Sequence, residues 1–266
     1  RFNTIHLDDR HRVCDFDKGP SSLAFTGIQV LSPGIFDYFP DKSVFSSIDI
    51  YRDLCRERLV NALVETDLYW SDMGTPRDYE KTSMQILSAK ALRLFDGIRL
   101  PGKKAMQAIS ISPLQGDGSD RRWFRSVHSE HSCILSSQGI TMDDGSELRR
   151  QVESFVKIGR HLHRCGIRVP KVHAYDYLSG MVALQDLGPV HLKDRVRAAG
   201  DPDTVKTLYQ GVIDELLRFS QQGIKGFNPA WTCQTRSYSQ RMILDHECAY
   251  FINAFVNGFL DRAVHW

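Results

Sequence analysis

No stretch of the 266-residue sequence reaches the roughly 18 consecutive apolar residues of a membrane-spanning helix, so no membrane partner is expected. No long run of lysine or arginine stands out, and the net charge is only +2 with a pI near 8.2. Charge therefore gives no reason to expect nucleic acid or an anionic surface as a partner. The six cysteines (Cys14, Cys55, Cys133, Cys165, Cys233 and Cys248) include no C-x-x-C pair. That spacing speaks against a zinc site and for reduced thiols in a cytoplasmic protein. There is no internal repeat and no low-complexity segment, and no signal peptide is expected. Arg1 is not a methionine, and "VNGFLDRAVHW" stops inside an apolar helical pattern, so the expectation is a piece of a longer chain.

What is present is a globular composition, 42% hydrophobic and 25% charged, over a length that suits one large domain or two small ones. Residues 2–16 read as a hairpin turning at Asp8-Asp9-Arg10. "LAFTGIQVLS" (23–32) reads as a buried strand, "FSSIDIYRDLCRER" (45–58) as a helix capped by Ser46 or Ser47, and "LVNALVE" as another strand. A helix is expected to follow "DMGTP" and run to about Phe95. "DGIRLPGKK" (96–104) has the glycine, proline and lysine content of a linker. Beyond it come strands at "AISISPL", "WFRSVH" and "SCILSS", then an amphipathic helix from Ser146 closed by Gly166. Strands at "VPKVHAYD" and "MVALQDLG" follow, and the remainder is helical. The change from one pattern of elements to another near residue 100 marks a domain boundary.

Two stretches carry chemistry. In "DLYWSDMGTPRDYEKT" (67–82), Asp72 is expected at the C-terminal end of a strand, just before a tight turn at Gly74 and a helix with Thr75 as cap and Pro76 at its first position. A carboxylate at the mouth of an α/β sheet suits a hard cation that also takes phosphate oxygens. The same residues also make an ordinary turn and cap, and local physics leaves both readings open. "LAFTGIQVLSPGIFDYFP…FSSIDIYRDL…YWSDMGTPRDYEK" resembles the C-terminal half of the sugar-1-phosphate nucleotidyltransferases. The resemblance implies that Asp72 is one of two aspartates holding Mg²⁺ across nucleotide and sugar phosphates. It also implies that Phe25, Thr26 and Gly27 line the sugar side, with Lys18 (next to Asp17) in the sugar-phosphate site, although the spacing differs by about one residue and a plain solvated turn is the other reading. The reaction it implies is attack by a sugar-1-phosphate oxygen on the α-phosphorus of a nucleoside triphosphate, releasing pyrophosphate. The family's nucleotide loop and first metal aspartate would lie upstream of Arg1.

In "PLQGDGSDRRWFR" (113–125), Gly116 and Gly118 flank a turn between two strands whose backbone N–H groups can meet phosphate oxygens, with Ser119 adding a hydroxyl. By itself the pattern fits an ordinary hairpin turn better, and Arg121, Arg122 and Arg125 read singly as solvated charges before phosphate contacts. "GDGSDRRWFR", "ESFVKIGRHLHRCGIRVPKVHAYD" and "MVALQDLG" resemble, in order and spacing, the aminoglycoside/sugar phosphotransferases of protein-kinase-like fold. The resemblance implies a phosphate loop at Gly116, Asp117, Gly118, Ser119 and Asp120. It implies a hinge against adenine that includes Gln185 and Leu187, with Leu187 or Val182 covering the base, and Glu153 on the lobe's helix. "SCILSS" has no lysine where many kinases pair one with the phosphates, which leaves Glu153 without its usual partner. The catalytic loop is expected beyond Trp266. His161 and His163, two apart on a helix, face different ways and are not expected to share a metal.

The expected fold class is therefore a partial α/β, Rossmann-like nucleotidyltransferase domain (1–96), a linker (97–107), and an α+β kinase-like N-lobe with the start of a helical C-lobe (108–266). The combination implies a bifunctional salvage enzyme. ATP and Mg²⁺ would serve phosphorylation of a sugar or amino sugar such as N-acetylmuramate, and UTP or another nucleoside triphosphate would serve conversion to a nucleotide-sugar for cell-wall recycling. No catalytic residue is expected inside the chain. Two alternatives stay open: a choline kinase and cytidylyltransferase of the same architecture, with Trp231, Tyr238, Tyr250 and Phe251 as an aromatic cage, and a transferase regulated by an inactive kinase domain.

Overall fold

A computed structural model describes residues 4–16, 23–57, 59–95, 97, 101–115, 121–140, 146–233 and 237–264. The chain divides into two compact units, Arg1–Asp67 and Leu68–Trp266.

In the first unit, β1 (Thr4–Leu7) and β2 (Val13–Phe16) form the expected hairpin. The Asp8 carboxylate shapes its turn, accepting the Arg10 and Arg12 backbone N–H groups at 2.9 Å each and the Arg12 Nε at 2.8 Å. A short β3 (Leu23–Ala24) adds to the other edge of β1, giving the antiparallel order β2-β1-β3. Helix α1 (Ser47–Arg56), capped by Ser46, buries Ile50, Tyr51, Leu54 and Cys55 against Ile5, Val13 and Phe16.

Two expectations for this unit are corrected. The buried strand at 23–32 reduces to β3; beyond it Ile28 and Val30 are exposed, Val30 completely, because no described strand covers them. "LVNALVE" is not a strand either, since Asn61 makes only an isolated bridge to Arg12.

The second unit is built on a five-stranded antiparallel sheet: β4 (Ser110–Leu114), β5 (Arg122–His128), β6 (His131–Ser137), β7 (Val172–Asp176) and β8 (Met181–Gln185), in the order β4-β5-β6-β8-β7. Strand alternation gives the sheet two apolar faces. Cys133, Leu135, Met181 and Ala183 meet Leu87, Ala89, Ala91 and Leu92 from α2 (Pro76–Ala91) and its C-terminal turn. On the opposite face Ile134, Val182, Leu184 and Trp123 meet Val152 and Val156 of α4 (Ser146–Arg164). The α4 helix ends as expected, with Gly166 at φ +75° and the Ile167 N–H bonded to the Leu162 carbonyl at 3.0 Å.

The expected boundary at 96–97 does not coincide with the division between the compact units at 67–68. An amphipathic helix pattern announces that α2 is covered but not by which sheet, and α2 covers the sheet of the second unit. The expected linker at 97–107 contains α3 (Lys103–Gln107), whose Met106 is fully buried in the same core. After β8 come α5 (Leu192–Ala198) and α6 (Pro202–Gln222). A further helical run, 240–259, begins with α7 (Gln240–Met242) and continues largely in π-helical geometry. The α4 and α6 ends meet where the buried His161 Nε2 lies 2.7 Å from the Gly223 carbonyl, beside the rings of Phe227 and Trp231. Among the described residues, no helix is long and apolar enough to cross a membrane.

Candidate functional site

Asp72 does not end a strand; residues 69–73 have no regular structure. Its Oδ1 accepts the Gly74 N–H at 3.1 Å, and Thr75 caps α2 by accepting the Asp78 N–H at 3.2 Å. A Cβ on Gly74 would lie 3.3 Å from Asp72 Oδ1, so the glycine keeps this turn close. The carboxylate is exposed, and among the described residues no group of three His, Cys, Asp or Glu side chains forms a metal cluster around it. One carboxylate supplies a single ligand to an ion that takes about six oxygens, so Mg²⁺ at Asp72 would depend on substrate phosphates. Phe25 is half-buried. Its ring packs edge-on to Phe16 at 5.7 Å and to Tyr51 at 6.2 Å, inside the first unit's core. Thr26 and Gly27 are exposed beside it, Gly27 with φ +81°. Lys18, Gly116, Asp117, Gly118, Ser119 and Asp120 lie outside the described residues.

The second unit gathers several expected residues where β8 leaves the sheet. Alternation puts Arg122 and Arg125 on opposite faces of β5. Arg125 reaches across β6 to Asp186 and holds it with two bonds, Nε–Oδ2 at 2.8 Å and an η-nitrogen to Oδ1 at 3.2 Å. Asp186 Oδ1 also accepts the Gly188 N–H at 2.8 Å, and Gly188 turns at φ +90°, a backbone state that glycine reaches without strain. Burial alone would raise the Asp186 carboxyl; the Arg125 guanidinium and the Gly188 N–H outweigh it and hold the group below its ordinary value. The sequence leaves Arg125 undecided and does not single out Asp186, because the ion pair joins residues 61 apart.

Around this pair opens a cavity of about 370 Å³, lined by Arg125, Val127, Ser132, Asp186, Gly188 and Pro189. Gln185 is tied to the sheet edge, its N–H donating to the Lys171 carbonyl at 2.8 Å and its side-chain oxygen accepting the Lys171 N–H at 3.3 Å. Leu187 is exposed, and among the described residues its N–H and C=O make no hydrogen bond. Val182 is buried beneath α4. Glu153 bonds to Arg149 and Lys157 of its own helix at 3.2 and 3.3 Å, and these two cations hold its carboxyl below the ordinary range.

Part of this chain is similar to sugar kinases. Over 121 residues it is 27% identical to the N-acetylmuramate/N-acetylglucosamine kinase of Pseudomonas aeruginosa, a match covering 46% of this chain and 32% of that protein. Over 114 residues it is 30% identical to the protein of the same name in Pseudomonas putida, covering 43% of this chain and 30% of that protein. The chain thus spans about a third of the length of the curated relatives it matches. No family model matches it. The similarity supports a kinase relationship. The names of these relatives give no support to the nucleotidyltransferase resemblance, whose motifs fall in both compact units.

Proposed function

We propose that this chain is part of an ATP- and Mg²⁺-dependent sugar kinase acting on an amino sugar such as N-acetylmuramate or N-acetylglucosamine. The observation that carries the reading is the sheet order β4-β5-β6-β8-β7, with α4 inserted between β6 and β7, in a chain similar to kinases of that name. In this reading the sheet and α4 form the nucleotide-binding lobe of a kinase-like fold. The segment Gln185–Gly188 is its hinge, and the free Leu187 N–H and C=O offer the donor and acceptor that the edge of a purine needs. The cavity beside Arg125 and Asp186 then opens at the base end of the nucleotide. Asp117, Ser119 and their glycines remain the proposed phosphate turn.

We further propose that the N-terminal residues derive from a sugar-1-phosphate nucleotidyltransferase, so that the whole protein makes a sugar-1-phosphate and converts it to a nucleotide-sugar with UTP. Support for this second activity is the sequence resemblance through Asp72. Both are tested on the full-length protein by following ADP formation with a panel of free amino sugars, and then pyrophosphate release from UTP with the phosphorylated product. ADP formation without pyrophosphate release leaves the kinase and removes the transferase; no ADP formation with any sugar removes the kinase.

One observation favours a second reading, a nucleotide sensor: β6 carries no lysine, and Glu153 is satisfied within its own helix. Nucleotide binding without turnover of any sugar selects it.

A further inference from the structure

Three arginines stand at the start of β5, and each has a different partner. Arg122 faces α2, where its guanidinium meets Glu80 and the Ser137 hydroxyl. Arg125, on the other face, is clamped to Asp186. Arg121, immediately before the strand, is half-buried with its guanidinium carbon 5.3 Å from the centre of the Phe155 ring on α4. Among the described residues no carboxylate pairs with Arg121. The acid two positions before Phe155 on the helix, Glu153, is already neutralised by Arg149 and Lys157. Elsewhere the α4-covered face of the sheet presents Trp123, Ile134, Val182 and Leu184.

A guanidinium resting over an aromatic ring is fixed by cation–π attraction while its in-plane N–H donors remain available. Arg121 is thus a positioned cation whose donors meet no carboxylate among the described residues, on the same side of the sheet as the Arg125–Asp186 cavity. Arg121 and Arg125 are four residues apart on extended chain, about 13 Å at ~3.3 Å per residue, with Trp123 between them packed against α4. We infer that Arg121 receives the phosphate chain of the bound nucleotide, taking the place of the lysine that β6 lacks. The inference rests on the kinase reading. It sorts three arginines that the sequence leaves equivalent: Arg122 ties α2 to the sheet, Arg125 sets the segment after β8, and Arg121 binds anion.

The test is titration calorimetry on the full-length protein with ATP, ADP and adenosine, for wild type, Arg121→Ala, Arg121→Lys and the opposite-face control Arg122→Ala. Removing one charge-assisted donor group should weaken ATP and ADP roughly 10- to 100-fold and leave adenosine unchanged. Arg121→Lys should recover part of the loss, and Arg122→Ala should bind ATP as wild type does. Should Arg121→Ala not fold, Arg121→Gln reports the same loss with the aliphatic stem retained. Wild type that binds ATP while Arg121→Ala binds it equally well overturns the assignment and leaves the kinase reading standing. A loss of equal size for adenosine also overturns it, since the defect is then in the fold or the base site. A folded wild-type protein that binds no nucleotide removes the kinase reading and the assignment together.

Discussion

Cutting the Arg125–Asp186 pair should loosen the second unit at the point where the chain leaves its sheet. Asp186 accepts two guanidinium bonds, at 2.8 and 3.2 Å, and the Gly188 N–H at 2.8 Å, with its side chain only 7% exposed. A hydrogen bond to a charged group contributes about 1.5–3 kcal/mol, and breaking a fully buried ion pair costs ~3–5 kcal/mol. Arg125 keeps a quarter of its side chain exposed, so water recovers part of its solvation when the partner is removed. The lower range therefore applies: about 2–3 kcal/mol for Asp186→Ala, and about 1–2 kcal/mol for Asp186→Asn, which keeps an oxygen for the Gly188 N–H. Urea unfolding of both single variants with Arg125→Ala and of the double variants yields the coupling, expected at about 1.5 kcal/mol or more. The pH dependence gives a second readout. Burial raises the Asp186 carboxyl, but Arg125 and Gly188 together bring it below its ordinary value of 3.8. A carboxylate depressed in the folded state contributes stability that is complete above the ordinary pKa and is lost as pH falls through the folded one. Wild type should therefore lose more stability than Asp186→Asn on acidification from about pH 5 downward. Coupling near zero, or parallel stability curves in acid, would refute the reasoning.

Other consequences follow from packing. Leu87→Ala, in the α2 face buried against β6 and β8, should cost about 2–5 kcal/mol and lower amide-exchange protection in those strands; unchanged protection would mean α2 does not belong to this unit. Gly180 sits at φ +64°, and a Cβ there would come within 2.7 Å of Leu148 Cδ1 and 2.9 Å of the Gly139 carbonyl oxygen. Gly180→Ala should therefore destabilise by about 1–3 kcal/mol or more, read as a lowered Tm. Burial pushes the Cys133 thiol up to about 11, so alkylation at mildly alkaline pH should label the exposed Cys14 in the native protein and Cys133 only on unfolding.

Much of the second unit was legible because its elements carry complete local signals. The α4 helix has its amphipathic stripe and its terminal Gly166, and β5, β6 and β8 each alternate or run apolar between turns. The errors fell where a local pattern needs a distant partner to acquire meaning. "IQVL" within 23–32 is apolar enough for a buried strand, yet Val30 stands in the open because β1 pairs with only two residues there. The glycine, proline and lysine of "LPGKK" advertise a linker and hide Met106, whose burial depends on Leu135 and Met181 far along the chain. The arginines show the same limit at the site. A period of two predicts that Arg122 and Arg125 point apart, but nothing local predicts Glu80, 42 residues earlier, or Asp186, 61 residues later, as their partners. Asp72 illustrates the converse: the turn and cap read from its neighbours are present, while its proposed metal role depends on groups beyond this turn.

The central claim is tested most directly by ³¹P NMR of the full-length protein mixed with ATP, Mg²⁺ and N-acetylmuramate or N-acetylglucosamine. The account predicts growth of a sugar phosphate resonance coupled to the anomeric proton, matched by ADP. ATP that stays intact, or that hydrolyses to inorganic phosphate alone at the same rate with and without sugar, would contradict it.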